Sequence, residues 1–436
     1  MRKPVLESLP SQSNAQAPLR DHSNEVTPGP RRQSGMRIGF LFNHDQVHQV
    51  AHSLPIALAL ARARTGAQIV VATTNPRLSA EVIRLGCGLI GPTIELVELG
   101  LERRTSRAAK AFFEAAVPAT KLLVYGDNLD FFRGLDVLIV AEKTSLILKT
   151  RYGLKNLKII HTRHGAGDRA IGFDQASAGF DHVLVSGRKI HDRLVAEAGV
   201  DPSAISIVGY PKFDLPPPAS VHPLIEDGRP VVVYNPHVSP HLSSWYAAGR
   251  QVLDWFVEHD EHHLIFAPHV MLFERPFVLT IDKLRLDRPG RIEERYLRAP
   301  NIHIDLGSRA STTMAYTQRA DVYLGDASSQ VYEFLLRPRP CLFLNPHRLA
   351  WEGDPNFAHW RAGPVIEDAA DLGAALEASR AQHASRYAPI QRELFDYSFD
   401  LTEEPSAIRA ARAVARFADL PAIQPEAPVP ALAAHG

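Results

Sequence analysis

The sequence predicts an α/β fold made of two Rossmann-like domains, each with a parallel β-sheet, that face each other across a cleft. Two observations lead to this prediction. Apolar runs of strand length alternate with helix-length segments along most of the chain, which is the pattern of repeated βαβ units. The alternation lapses around residues 215–218, where three prolines follow one another, and then resumes in a second series. With 436 residues, the chain can form two cores of ordinary size.

This organisation divides the chain into four predicted segments. Residues 1–35 are rich in Ser, Pro, Asn, Gln and Arg and are expected to be disordered, as is the Pro- and Ala-rich tail 420–436. Residues 36–218 are expected to form the N-terminal domain, and residues 219–419 the C-terminal domain. We expect the last helix, 406–417, to fold back onto the first domain.

Each predicted strand is an apolar run that is bounded by turn residues. In the first domain these runs are 36–42, 68–73, 137–140, 158–160 and 182–185, and helices are predicted at 53–63 and 76–85. In the second domain the runs are 231–234, 263–266, 301–304, 322–324 and 341–344, with a helix at 331–336. Strands and helices that alternate at these lengths indicate parallel sheets.

The composition argues against several classes of function. The formal net charge is +0, which gives no indication of a nucleic-acid partner. The two cysteines, Cys87 and Cys341, lack the spacing of a zinc site or a disulfide framework, so we expect a reducing, cytoplasmic environment. No apolar run approaches the roughly 20 residues that span a bilayer, and the N-terminus lacks the apolar core of a signal peptide.

A basic cluster precedes the apolar residues 111–113. Its members are Arg103, Arg104, Arg107 and Lys110. Two interpretations stay open for this cluster. It forms a peripheral contact with anionic lipid at the inner face of the cell membrane, or it is a solvated helix face.

The turn after the apolar run 322–324 is the strongest local signal for a ligand. Gly325 ends the run, and Asp326, Ala327, Ser328 and Ser329 follow before the predicted helix. This order places hydroxyls and free backbone N–H groups at a helix N-terminus, where a phosphate is favoured. The alternative is that one of the two serines is an ordinary N-cap.

Polar residues gather where the other predicted strands end. In open parallel sheets, ligands bind outside the carboxyl ends of the strands. The polar segments at these ends are 43–45, 142–145, 161–165, 186–188, 235–237, 268–269 and 326–329. Several of them contain histidine, so one cleft can hold a base together with cations for a phosphate.

Three side chains stand out as candidates for chemistry in that cleft. His164 lies in the glycine-flanked turn HTRHGAGDR, and a neutral imidazole there can take a proton from an attacking hydroxyl. His269 can hydrogen-bond a phosphate or a leaving group. Glu333 can accept hydrogen bonds from ribose hydroxyls. The alternatives are a loop histidine satisfied by backbone and a solvated helix glutamate.

His44, His48 and His52 recur at helical spacing and would share one face of a helix. Such a row can bind a metal ion. However, residues 43–46 have the character of a loop, and no acidic metal-binding signature accompanies the histidines. We therefore predict that they line an acceptor site and that the protein holds no metal.

Four motifs occur here in the same order as in a known family. Residues 182–186 (HVLVS) and 207–214 (IVGYPKFD) are similar to a strand, a helix and a GYPRxD-like segment. Residues 163–165 resemble a Trp-His-Gly motif, residues 268–269 an Arg-Pro-His-Pro segment, and residues 325–329 an Asp-Tyr-Ser-Ser turn. The family is that of the CDP-glycerol glycerophosphotransferases, which build teichoic acids and related surface polymers. The resemblance extends over roughly residues 120–400.

The resemblance implies a GT-B fold that uses a nucleotide-activated donor as substrate, without a cofactor or a catalytic metal. It implies that His164 is the general base, that His269, Ser328 and Ser329 hold the donor diphosphate, and that Glu333 faces the ribose. We place Asp326, His237 and Gly209 on the same donor side, and His44, Asp45, Arg163 and Gly165 on the acceptor side of the cleft.

The implied reaction moves a glycerophosphate-like group from a CDP-activated donor to a hydroxyl of a cell-surface polymer or glycolipid precursor. Two departures put CDP-glycerol in doubt: Ala267 replaces an arginine before Pro-His, and Ala327 replaces an aromatic residue beside the serines. A GT-B glycosyltransferase or a UDP-sugar 2-epimerase-like enzyme is therefore the main alternative. A non-catalytic protein that binds nucleotides or polymers is the third.

Overall fold

The computed structural model describes residues 35–44, 46–101, 117–163, 165–169, 172–216, 228–280 and 285–424. Several predictions fall on residues outside these ranges. They concern Asp45, His164 and the basic cluster Arg103, Arg104, Arg107 and Lys110, together with nearly all of the two terminal segments.

The first half of the chain forms a seven-stranded parallel sheet in the order β3-β2-β1-β4-β5-β6-β7. Its strands are β1 Arg37–Phe42, β2 Gln68–Thr73, β3 Glu95–Glu98, β4 Val137–Val140, β5 Lys158–Thr162, β6 His182–Val185 and β7 Ile205–Ile207. The order reverses between β1 and β4, as in a doubly wound dinucleotide-binding sheet. The central strands are continuous apolar runs because helices cover both faces of the sheet.

The second half repeats this topology in a six-stranded parallel sheet, in the order β12-β9-β8-β13-β14-β15. Its strands are β8 Val231–Asn235, β9 His263–Phe266, β12 Ile302–Ile304, β13 Val322–Gly325, β14 Cys341–Leu344 and β15 Val365–Ile366. A separate antiparallel hairpin joins β10 Val278–Thr280 to β11 Arg285–Asp287. In this sheet the strand order reverses between β8 and β13. The two sheets therefore have their points of reversal, the topological switch points, in equivalent positions.

Helices pack on both faces of each sheet. In the first half they are Val50–Ala63, Pro76–Leu85, Val117–Asp127, Leu129–Arg133, Ile147–Thr150 and Arg188–Ala198. In the second half they are Trp245–Glu258, Glu294–Arg298, Ala315–Arg319, Gln330–Phe334, Leu372–Ala381, Ala388–Ser398 and Ser406–Phe417. In the part of the chain that is described, no helix has the length and apolar character needed to cross a bilayer.

The helix Ser406–Phe417 leaves the second half and packs on the first sheet. Its buried face carries Ala410, Ala411 and Val414, which belong to the same apolar core as Leu54 and Ile56 of the helix Val50–Ala63. Small side chains on this face let the two helices approach closely. The C-terminal helix therefore ties the two halves of the chain together.

The predicted strands agree with the structure where the apolar run is long, and the two-domain α/β architecture is confirmed. Five strands escaped prediction: β3, β7, β10, β11 and β15. β3 and β7 lie at one edge or the other of the first sheet, β15 lies at an edge of the second, and each has two to four residues. An edge strand is buried on fewer sides, so its sequence needs no continuous apolar run.

Candidate functional site

The carboxyl ends of the two sheets share a cleft of about 300 Å³. Loops that follow β1, β5 and β7 line it from the first half, and loops that follow β8, β9, β12 and β13 line it from the second. Its lining includes Gln46, His48, Gln49, His52, Arg163, Gly165, Arg169, Tyr210, Lys212, His237, His269, Thr312, Ser328, Ser329, Gln330 and Glu333.

Most of the described candidate residues meet in this cleft. The donor-side candidates His237, His269, Ser328, Ser329 and Glu333 all line it from the second half of the chain. Arg163 and Gly165, which precede and follow His164 in sequence, line it from the first half. His164 and Asp45 lie outside the described residues, so their roles stay predictions.

Two histidines lie at the ends of neighbouring strands of the second sheet. His237 follows β8 and His269 follows β9, and their ring centroids are 5.9 Å apart. Burial and then the nearby Arg169 guanidinium lower the pKa of His269 to about 4. The pKa of His237 is lowered well below its ordinary value, and burial and then Arg169 are again the two largest causes. Both rings are therefore neutral at pH 7.

The depressed pKa of His269 predicts that acid destabilises the fold. Because the unfolded histidine titrates near 6.5 and the folded one near 4, the unfolded chain binds more protons between these values. The stabilisation is fully present above about pH 6.5 and is lost as the pH falls toward 4. His269 is half-buried, so we expect it to account for about 1–2 kcal/mol of the loss between pH 7 and pH 5.

Chemical denaturation of the wild type and His269→Asn at both pH values measures this share. The wild type should lose more stability than the variant between the two values. Equal losses in the two proteins would contradict the depressed pKa.

The turn 326–329 after β13 is called the switch turn below. Asp326 begins this turn, but its side chain lies beneath the turn and not in the cleft, contrary to its predicted place among the donor contacts. It is fully buried. Its Oδ1 accepts the backbone N–H of His237 at 2.8 Å, and its Oδ2 accepts the N–H of Ser244 at 2.6 Å and the Ser244 hydroxyl at 2.8 Å. Burial raises the pKa of this carboxyl to about 6, although the hydrogen bonds counteract it. Asp326 therefore holds the His237 loop in place.

The two serines of the switch turn differ in their surroundings. Ser328 is buried, and its hydroxyl donates to Asn235 Oδ1 at 2.5 Å. Ser329 is exposed, and a Cβ added to Gly167 would lie only 3.0 Å from its Cβ, so the two halves of the chain approach closely here. The helix that follows, Gln330–Phe334, has five residues instead of the six predicted at 331–336. So short a helix has a weak dipole, and other groups must supply most of the attraction for an anion.

Glu333 lines the cleft in an ion pair. Lys212 Nζ donates to Glu333 Oε1 at 2.6 Å, and the Tyr210 hydroxyl donates to the same oxygen at 3.3 Å. Lys212 and Tyr210 belong to the GYPKFD segment of the first half. These two hydrogen bonds fix the orientation of the Glu333 carboxylate, because both donors bind the same oxygen.

Gly209 and His44 do not line the cleft, contrary to their predicted places on its donor and acceptor sides. Gly209 has φ +81°, and an added Cβ would lie 2.3 Å from the Ser406 Oγ. It is glycine because the C-terminal helix begins against it. His44 is buried with its Nδ1 3.2 Å from Glu142 Oε1. His48 and His52, in contrast, line the cleft.

Arg163 supports the loop around the predicted base. Its Nη1 donates to the Gly172 carbonyl at 2.6 Å, and its guanidinium stacks 4.5 Å from the centre of the Phe173 ring. Burial, and then the charge of Arg193, lower the pKa of Arg163 to about 10. The side chain thus braces the loop as well as lining the cleft.

The most densely bonded group near the cleft is Asp168, which the sequence did not single out. Lys189 Nζ donates to its Oδ1 at 2.7 Å, the Tyr332 hydroxyl lies 2.8 Å from both carboxylate oxygens, and His359 Nδ1 lies 2.8 Å from Oδ2. His359 Nε2 contacts the Asp326 carbonyl at 2.9 Å. Burial alone would raise the pKa of Asp168, yet Lys189 and His359 hold it below its ordinary range.

This Asp168 network joins the two halves of the chain. Lys189 lies on the helix Arg188–Ala198 of the first half, whereas Tyr332 and His359 belong to the second. The network fixes the loop 165–169 against the switch turn. No local pattern could have revealed it, because Asp168 and His359 are 191 residues apart.

Among the described residues, no cluster of three metal-ligating side chains has the geometry of a metal site. His44, His48 and His52 do not lie on one helix, because His44 precedes the 3₁₀ turn Val47–Gln49 and only His52 lies in the helix Val50–Ala63. The prediction that the three histidines share one helical face, on which a metal site depended, is therefore wrong.

Comparison with known proteins identifies the fold. No protein-family model and no curated protein matches the sequence. Solved structures do match, among them a protein assigned provisionally as a UDP-N-acetylglucosamine 2-epimerase from Listeria monocytogenes, with TM-score 0.54 and 13% identity over 90% of this chain and 99% of that one. The glycotransferase of kitacinnamycin matches with TM-score 0.52 and 15% identity over 88% and 99%.

A third match is the wall teichoic acid polymerase TagF, in a variant soaked with CDPG. Its TM-score is 0.51 and its identity 13%, over 88% of this chain and 87% of that one. All three matches extend over nearly the whole described chain. At these identities they show a shared fold, which is the GT-B architecture that the sequence predicts.

Proposed function

We propose that the protein is a GT-B transferase that binds a nucleotide-activated donor across the cleft and passes part of it to a hydroxyl acceptor. The observation that carries this proposal is the meeting of Ser329, Glu333, His237 and His269 with Arg169 in one cleft. A diphosphate needs donors and positive charge, and a ribose needs an acceptor such as a carboxylate. The cleft contains both kinds of group: Arg169 comes from the first half of the chain, and the other four residues come from the second.

The donor that we rank first is a CDP-activated polyol phosphate, such as CDP-glycerol. In this reaction the acceptor oxygen attacks the phosphorus that carries the polyol and is transferred with it. The new P–O bond forms as the bond to the bridging oxygen of the diphosphate breaks, and CMP leaves. His164 takes the proton of the acceptor hydroxyl. The acceptor class that we propose is a cell-surface polymer or glycolipid precursor.

The neutral histidines fit the leaving group. As CMP departs, negative charge grows on the oxygen that bridged the two phosphorus atoms. Hydrogen-bond donors already aimed at that position stabilise the transition state without rearranging. His237 and His269 are held by their backbones at the strand ends, which supports this role. Glu333, oriented by Lys212, would accept hydrogen bonds from the ribose.

A nucleotide sugar is the second candidate donor, and one observation favours it. Ala267 stands where the resembled family has an arginine before Pro-His, and its side chain is buried in the core. That position therefore supplies no cation to the phosphate that phosphotransfer would move to the acceptor, and that in glycosyl transfer stays with the leaving nucleotide. In glycosyl transfer the acceptor attacks the anomeric carbon, and a nucleoside diphosphate leaves.

Identification of the released nucleotide separates the two donors. The purified chain is incubated with CDP-glycerol or with a panel of UDP-, GDP- and CDP-sugars, and with polyol phosphates and simple glycosides as acceptors. ³¹P NMR then identifies the nucleotide product. Release of CMP from CDP-glycerol supports phosphotransfer, release of a nucleoside diphosphate from a sugar donor supports glycosyl transfer, and conversion of the sugar without release supports an epimerase. No turnover of any donor would contradict the proposal.

A further inference from the structure

The ends of β8 and β9 carry the same tripeptide, Pro-His-Val, at residues 236–238 and 268–270. The two copies fold alike. In each, the backbone N–H two residues after the histidine donates to its Nδ1, from Ser239 to His237 at 3.0 Å and from Met271 to His269 at 3.3 Å. The His269 N–H also donates to the Pro236 carbonyl at 3.0 Å, which ties the copies together.

This geometry determines where each ring carries its proton. A neutral imidazole has one N–H and one acceptor nitrogen. Because Nδ1 accepts a backbone N–H in both rings, the proton lies on Nε2 in both. His237 and His269 therefore present Nε2–H donors to the cleft that they line.

Arg169 approaches one of these donors from the other half of the chain. Its Nη1 lies 3.0 Å from His237 Nε2. A guanidinium has donors only, so this contact brings two donors within hydrogen-bond distance of each other. The other tautomer of His237 only moves the conflict, because its Nδ1–H would then meet the Ser239 N–H. In the Nε2–H tautomer, which the Ser239 N–H favours, an acceptor that receives hydrogen bonds from both Arg169 and His237 Nε2 resolves the conflict.

We propose that Arg169, His237 and His269 form a phosphoryl-binding site in which all three donate to the same diphosphate, bridging the two halves of the chain. In this site Arg169 supplies the positive charge that Ala267 cannot supply. The charge of the guanidinium and the two neutral donors suit an anion with several oxygens. That the diphosphate belongs to a nucleotide donor rests on the proposed function, whereas the site itself does not.

Calorimetric titration of the full chain with inorganic pyrophosphate, CDP and UDP tests the site, with cytidine and uridine as ligands that lack phosphate. Arg169→Gln should weaken binding of pyrophosphate and of both diphosphates by about tenfold or more and leave its thermal stability near that of the wild type. Arg298→Gln is the matched control, because it removes the same charge from a side chain that is 76% exposed. It should change the affinities by less than about twofold.

Paired substitutions of the histidines test the tautomers. Glutamine reproduces an Nε2 donor but not an Nδ1 acceptor, and asparagine does the opposite. His269→Gln should therefore retain more affinity for pyrophosphate than His269→Asn. In the ligand-free wild type, ¹⁵N NMR of histidine should show the Nε2–H tautomer for both rings, and this readout does not depend on binding.

The outcomes separate this site from the proposed function. Binding of pyrophosphate that depends on Arg169, without any binding of nucleotides, supports the site and contradicts the proposed function. Equal affinity of the wild type and Arg169→Gln for pyrophosphate overturns the site, as does an absence of pyrophosphate binding by the wild type. The Nδ1–H tautomer in both rings would also overturn it.

Discussion

Asp168→Ala is expected to lower the free energy of unfolding by about 3–5 kcal/mol, because it leaves the buried Lys189 ammonium without its counter-charge. Lys189 has 4% of its side chain exposed and Asp168 has none. The variant also removes the acceptor of the Tyr332 hydroxyl and of His359 Nδ1. Chemical denaturation of both proteins measures the difference, provided that the free energy of unfolding falls with denaturant concentration at the same slope in each.

Two further variants show whether the buried pair is the cause. Asp130→Ala removes a carboxylate that is 95% exposed, and it should change stability by less than about 0.5 kcal/mol. The double variant Asp168→Ala with Lys189→Met removes both charges and should recover part of the loss. A cost below about 1 kcal/mol for Asp168→Ala alone would contradict the network.

His164→Ala is expected to lower turnover by about 10²–10⁴-fold while changing nucleotide affinity by less than about threefold. The physical reason is that a general base acts on the acceptor proton in the transition state and contributes little to donor binding. The measurement combines steady-state turnover of the active donor with calorimetric titration of its nucleotide product. This variant is the sharpest test of an enzyme against a non-catalytic binder.

The matched control is His191→Ala, which removes an imidazole that lies beside Asp192 on the helix Arg188–Ala198, outside the cleft lining. It should keep the wild-type turnover. If His164→Ala also keeps it, His164 is not the base, and the protein either uses another group or does not catalyse transfer.

The core of the fold could be predicted because its cause is local. Strand interiors such as 69–72 and 341–344 are uninterrupted apolar runs, and burial on both faces of a parallel sheet requires such runs. The edge strand β3, with sequence ELVE, has two exposed glutamates and no such requirement. The length of the helix Gln330–Phe334 was overestimated, since Leu335 and Leu336 continue the apolar run after the helix has ended.

The site was predicted in outline because the carboxyl ends of parallel strands meet at one edge. That rule brings His237, His269 and Ser329 together without knowledge of their contacts. It cannot identify which polar groups face inward, and so Asp326 was assigned to the ligand although it holds the His237 loop. Arg169 was missed because its contact with His237 crosses between the halves. The repeated Pro-His-Val was a visible signal that the two histidine turns fold alike.

Thermal stability in the presence of CMP, CDP, UMP, UDP, GDP and CDP-glycerol tests the central claim, that the cleft binds a nucleotide-activated donor. A ligand at about a hundred times its dissociation constant adds roughly 2.7 kcal/mol to the stability of the protein that binds it. We expect CMP, CDP and CDP-glycerol to raise the melting temperature, and UDP or GDP to do so instead if the donor is a sugar nucleotide. No shift with any of these nucleotides would contradict the claim.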